Sequence, residues 1–117
     1  MPNEAHNIRI EFTPTFKRNL KALAKKYRHI RSDVQPVIEQ LQSGVVLGDQ
    51  VPGVGYTIFK VRIRNRDIQK GKSSGYRMLY YLKAEDKIIL ITIYSKLDQG
   101  DISPLRIRQI INEVQEP

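Results

Sequence analysis

A chain of 117 residues with 40% hydrophobic content is long enough for one globular domain around one core, and its composition is not that of a disordered protein. It has no cysteine and two histidines, His6 and His29, which excludes disulfides and thiolate metal sites and argues against a zinc centre or a histidine-based nucleophile. With 20 Lys and Arg against 12 Asp and Glu, the net charge of +8 favours nucleic acid as a partner, then an acidic protein; the longest apolar run, 88–91, is too short to cross a bilayer.

Residues 1–7 read as a loose leader without a signal-like apolar segment, so the expected location is the cytoplasm. Ile8, Ile10 and Phe12 alternate with Arg9 and Glu11, which predicts a first strand. Thr13 then offers a helix cap and Pro14 suits the first helical position. Phe16, Leu20, Leu23 and Tyr27 recur at helical spacing and form one apolar stripe. Lys17, Arg18, Lys21, Lys25, Lys26 and Arg28 cover the remaining faces, either as a solvated surface or as a dock for an acidic protein segment. Ser32 and Gln35 have capping-box spacing and predict the start of a second helix, with Pro36 close behind and Gly44 closing it. Val34, Val37, Ile38 and Leu41 make its stripe, so the two helices are expected as a hairpin lying on a sheet.

Gly48, Pro52, Gly53 and Gly55 predict a loop over 45–55. From 56 to 64 the chain alternates: Phe59, Val61 and Ile63 on one face of a strand, Lys60, Arg62 and Arg64 on the other. Arg66, Lys70 and Lys72 follow in a cationic connection, and Arg77 opens the next strand. The single carboxylate of this whole stretch is Asp67. Like charges facing one another on a sheet repel, so a face of one sign points to a polyanion that supplies the other. The competing reading is a strand edge kept soluble by its cations. Residues 76–83 alternate Met78, Tyr80 and Leu82 against Arg77, Leu79 and Tyr81, and 84–87 make a tight turn. The run 88–94 is nearly all apolar, as in a central strand covered on both faces. Ser103 and Pro104 repeat the cap-plus-proline start, and Ile107, Ile110, Ile111 and Val114 predict a closing helix. These elements predict one α+β domain over 1–117: an N-terminal strand and helical hairpin packed on an antiparallel sheet, then a C-terminal helix. Helices on one face would leave the other concave and basic.

That face would gather Lys60, Arg62, Arg64 and Arg77 beside Tyr94 and Lys96. Cleavage of RNA by its own 2′-hydroxyl needs a base, cations for the crowded phosphorane, and an acid for the leaving 5′-oxygen. Arginine suits the second role because its fork matches phosphate oxygens and keeps its charge. A lysine whose pKa is lowered by neighbouring cations can serve as acid or base. Such chemistry requires neither metal nor cofactor. Tyr80, Tyr81 and Tyr94 are either stacking platforms or core residues with satisfied hydroxyls. Spacing alone does not separate an RNA-cutting face from an RNA-binding one.

The run GKSSGYRMLYY at 71–81, followed by LITIYSK at 90–96, resembles toxins of the RelE/ParE superfamily, nearest to the HigB-like branch of RelE-type toxins. The upstream FKVR at 59–62 is similar to that family's strand of alternating aliphatic and basic residues, and the likeness extends from Ile8 to about Val114. The resemblance implies a RelE-like fold and the toxin of a type II toxin–antitoxin pair. Such a toxin is an endonuclease that cuts mRNA on the ribosome, arrests translation, and is held inactive by a cognate antitoxin. Position by position, Lys60 and Arg62 match the family's basic strand pair, Arg77 its phosphate-binding arginine, and Lys72 a basic loop residue; Arg64, Arg66 and Lys70 would extend the RNA contact. Two departures matter: Leu97 stands where RelE has an arginine, and 98–103 has no counterpart of RelE's C-terminal tyrosine. The acid–base pair therefore stays open among Tyr94, Lys96 and Asp98. The alternatives are a ParE-like poison that binds DNA gyrase without catalysis, and a basic RNA-binding domain without activity.

Overall fold

The structure, a computed structural model, describes residues 8–68 and 75–115. The predicted leader, Lys70 and Lys72 lie outside these residues. Five strands, β1 (Arg9–Phe12), β2 (Asp49–Gln50), β3 (Ile58–Ile63), β4 (Tyr76–Ala84) and β5 (Lys87–Ser95), form one sheet in the order β1-β5-β4-β3-β2. Three helices accompany them: α1 (Pro14–Lys26), α2 (Ile30–Gln42) and α3 (Pro104–Ile111). Among the described residues no helix is long and apolar enough to cross a membrane.

β5 is the interior strand that the apolar run predicts, and it is buried from Ile88 to Ser95. It pairs antiparallel with β4 on one side and parallel with β1 on the other, Ile10 opposite Ile88. The sheet is therefore mixed, not antiparallel throughout. The end of β1 explains the direction: Thr13 donates its N–H to Leu90 O at 3.1 Å and its hydroxyl to Ile91 O at 2.7 Å, so the chain leaves β1 along β5 and turns straight into α1. A parallel pair needs a long crossover, and here everything from α1 to β4 lies between the two strands. β2 is a further correction, because it falls in the segment expected as loop. It pairs with β3, Asp49 opposite Lys60. Gly48 permits this approach: its φ is +88°, and a Cβ there would collide with the Lys60 carbonyl oxygen.

α1 begins as its cap predicts, with Thr13 Oγ1 accepting from Phe16 N at 2.9 Å and Pro14 next. The neighbouring N–H and hydroxyl of Thr15 both donate to Glu113, which brings a carboxylate to the positive end of the helix. α2 begins at Ile30, ahead of the expected Ser32. The predicted capping box does not form, because Ser32 is already helical and donates to His29 O, while Gln35 donates to Glu39. The start of α2 is satisfied from a distance instead. Asp67 accepts from His29 N at 2.9 Å and meets His29 Nδ1 at 2.7 Å. Asp33, in the first turn, holds Arg66 Nε at 2.6 Å. These contacts moor the segment that follows β3 to the α1–α2 junction, and the His29 hydrogen bonds hold the Asp67 carboxyl below its ordinary range.

The sheet is covered on both faces. Phe16, Tyr27, Ile30, Val34 and Leu41 of the hairpin side pack against Val61, Met78, Tyr80 and Leu90. On the other face Ile107, Ile110 and Ile111 of α3 pack against Ile58, Leu79, Ile89 and Ile91. The face expected to be open is thus open only where α3 does not reach. β4 and β5 slip register between Leu79 and Tyr80, where Ile91 is the extra residue of a bulge.

Replacing Thr13 by alanine removes two buried hydrogen bonds that join cap, helix and central strand. The expected cost is about 1–3 kcal/mol, measured as a lower urea midpoint with an unchanged m-value.

Candidate functional site

The antiparallel registers of β3, β4 and β5 set Arg62 opposite Arg77 and Arg77 opposite Tyr94. These three residues form one row across the sheet. Lys60 stands two residues from Arg62 along β3 and so shares its face. Beside α3, whose Ile107 forms part of one wall, this face opens into a cleft of about 360 Å³ lined by Asp49, Lys60, Leu79, Tyr94, Asp101 and Ile102; Arg62 and Arg77 lie outside that lining. A few polar groups above an apolar floor are the usual make-up of a ligand cleft.

Asp101 is the residue that sequence reasoning missed. It lies on the linker between β5 and α3, and its Oδ1 is 3.1 Å from Lys60 Nζ. Tyr94 donates its hydroxyl to the same oxygen at 3.5 Å. The hydrogen bond from Lys60, and then the charges of Lys60 and Lys96, hold the Asp101 carboxyl below its ordinary range. Burial pushes the Tyr94 phenol up, Asp101 pushes it further, and Arg77 opposes them. The cleft thus sets Lys60, the Asp101 carboxylate and the protonated Tyr94 phenol within reach of one another. Asp98, considered for acid–base work, points elsewhere and is bound to Lys26 of α1 at 3.1 Å. Nothing in the local pattern of 98–103 distinguishes the two carboxylates.

Arg77 departs from the expectation of an open-face residue. It is 5% exposed, and its Nη1 donates to Tyr76 O at 3.3 Å. Among the described residues it has no carboxylate partner. Arg62 and Lys96 are exposed, as is Arg64 just past the end of β3. Lys96 is tied to the start of β4 through its backbone N–H, which donates to Gly75 O at 3.0 Å. Arg66 is engaged with Asp33 and Ser32 of α2. Tyr80 is fully buried, accepts from Leu47 N at 3.0 Å and donates to Leu47 O at 2.6 Å. Tyr81 is half-buried and packs edge-on against Tyr56.

The fold and cleft define a basic α+β domain with cations and a phenol gathered at one end of its sheet. No protein-family model matches the chain, and no curated protein matches it.

A buried charge without an ion partner costs stability unless the site uses it. Arg77→Met keeps the apolar stem and removes the charge. It is expected to stabilise the protein by about 1 kcal/mol, seen as a higher urea midpoint. A midpoint that falls would show that the guanidinium is held for structure.

Proposed function

We propose that this protein is the toxin of a type II toxin–antitoxin pair, a RelE-like, ribosome-dependent mRNA endonuclease of the HigB-like kind acting in the cytoplasm. The observation that carries the reading is the cross-strand row Arg62, Arg77 and Tyr94 beside Lys60. A phosphorane intermediate needs donors set in advance around its oxygens. Arg77, fixed by burial, and Tyr94, kept protonated by burial, are donors of that kind. Arg62 is exposed and suits phosphate positioning. The segments 59–62, 71–81 and 90–96 that resemble the toxin family overlap β3, β4 and β5, the strands that carry this row.

The same reading explains why a ribosome would be needed. Free RNA binds a basic surface through its phosphates in many registers, with affinity falling steeply as salt rises. Few of those registers align a 2′-hydroxyl with its own phosphate. Alignment is worth roughly 7–11 kcal/mol in well-oriented systems, and a codon held in a bent path can supply part of it. The cognate antitoxin, in this reading, is steered by charge to the basic surface and covers the cleft.

The test is a paired time course of purified protein with one mRNA, on translating ribosomes and free, at matched salt. Cleavage is expected to be far faster on ribosomes, with ends carrying a 2′,3′-cyclic phosphate or its 3′-phosphate product, and to persist with chelator in the nuclease step. Arg77→Ala is expected to slow it by about 10²–10³-fold. Equal rates in the two arms reject ribosome dependence. Arrest of DNA synthesis ahead of protein synthesis on induction in cells would transfer the assignment to a gyrase poison.

A further inference from the structure

The reaction proposed above needs a base and an acid. We propose that Asp101 and Lys60 are that couple: Asp101 takes the proton of the attacking 2′-hydroxyl, and Lys60 Nζ protonates the leaving 5′-oxygen. This assignment rests on the mRNA-cleavage reading.

The geometry selects them. Both line the same cleft, and their charged atoms are 3.1 Å apart. The Asp101 side chain is 68% exposed, so a ribose hydroxyl can reach it, and Lys60 at 33% is reachable from the same opening. The neighbouring groups are suited to other tasks. Arg77 is buried and an arginine does not give up its proton at physiological pH. Tyr94, whose phenol is pushed up, donates a hydrogen bond but does not supply a base. Asp98 is paired with Lys26 on α1. Lys60 and Lys96 hold the Asp101 carboxyl low, so it is ionised, and its basicity rises as Lys60 turns from it toward the leaving oxygen.

The step balances without another reagent. The 2′-oxygen bonds to phosphorus as its proton passes to the Asp101 carboxylate. The bond from phosphorus to the 5′-oxygen breaks as Lys60 gives that oxygen a proton. The products are a 2′,3′-cyclic phosphate and a 5′-hydroxyl, and the protein is left with a neutral carboxyl beside a neutral amine. A carboxyl is far the stronger acid of the two. The proton therefore returns from Asp101 to Lys60 across their hydrogen bond, and the ion pair is restored for the next turnover.

The experiment measures single-turnover cleavage of mRNA on purified ribosomes at saturating protein. It compares the wild type, Lys60→Gln, Asp101→Asn and Asp101→Glu, each shown to be folded by circular dichroism. Each acts on ordinary mRNA and on mRNA with sulfur in place of the bridging 5′-oxygen at the scissile position, since a thiolate leaves without a proton. On ordinary mRNA, Lys60→Gln and Asp101→Asn are each expected to lose about 10²–10³-fold in rate. Sulfur is expected to restore Lys60→Gln and to leave Asp101→Asn slow. Asp101→Glu, which retains a carboxylate, is expected to recover part of the rate. The assignment is overturned if Asp101→Asn cuts at the wild-type rate, if sulfur rescues Asp101→Asn, or if Lys60→Gln stays slow on the sulfur substrate. A wild type that leaves both substrates intact overturns the mRNA-cleavage reading itself, and this assignment with it.

Discussion

β5 must be buried on both faces, and the fold follows from that requirement. Its residues from Ile88 to Ser95 are all buried, so each face needs an apolar cover and each edge needs a partner. The hairpin of α1 and α2 covers one face, α3 covers part of the other, and β1 and β4 take the two edges. β1 reaches its edge in parallel because the chain turns at Thr13, beside Leu90 and Ile91, directly into the helix that covers the strand. The N-terminal strand, the first helix cap and the central strand are thereby one hydrogen-bonded corner.

The cleft exists because the two covers are unequal. α3 spans Pro104–Ile111 and packs on Ile89, Ile91 and Leu79, and the cleft opens at its edge, where Leu79 and Ile107 meet Tyr94. The linker that carries the chain from β5 back to α3 passes this edge and sets Asp101 against Lys60. The bulge at Ile91 helps place this boundary, since it shifts the pairing of β5 against β4 within the same stretch. An apolar cover therefore gives way to a polar site within a few residues of the same strands.

Charge is divided with the same economy of elements. Lys26 is matched by Asp98, Arg66 by Asp33, Lys87 by Glu11 and Lys60 by Asp101. Among the described residues, Arg62, Arg64, Arg77 and Lys96 have no carboxylate partner. Exposed ion pairs contribute little to stability, so these matches matter more for what they leave unmatched than for what they hold together. Among the described residues most cations of α1, Lys17 and Lys21 for example, are likewise unpaired but exposed, as are Arg62, Arg64 and Lys96; Arg77 differs in being buried, between Arg62 and Tyr94.

Much of this fold was legible in the sequence because its signals are periodic and local. The alternation of Phe59, Val61 and Ile63 with Lys60 and Arg62 determined which side of β3 carries charge. Thr13 with Pro14 and Ser103 with Pro104 determined two helix starts, since a cap acts within one turn. The apolar run at 88–94 determined that its strand is interior. What remained belongs to contacts between distant parts of the chain. The parallel seat of β1, the start of α2 against Asp67, and the pairing of β2 across Gly48 depend on partners that no local pattern names. The site divides in the same way. Lys60, Arg62 and Arg77 announce themselves by charge in an alternating strand, whereas the burial of Arg77 and the choice of Asp101 over Asp98 do not. Both carboxylates lie on one linker of near-identical local chemistry. Only the path of that linker over the folded sheet sends one to α1 and the other to Lys60.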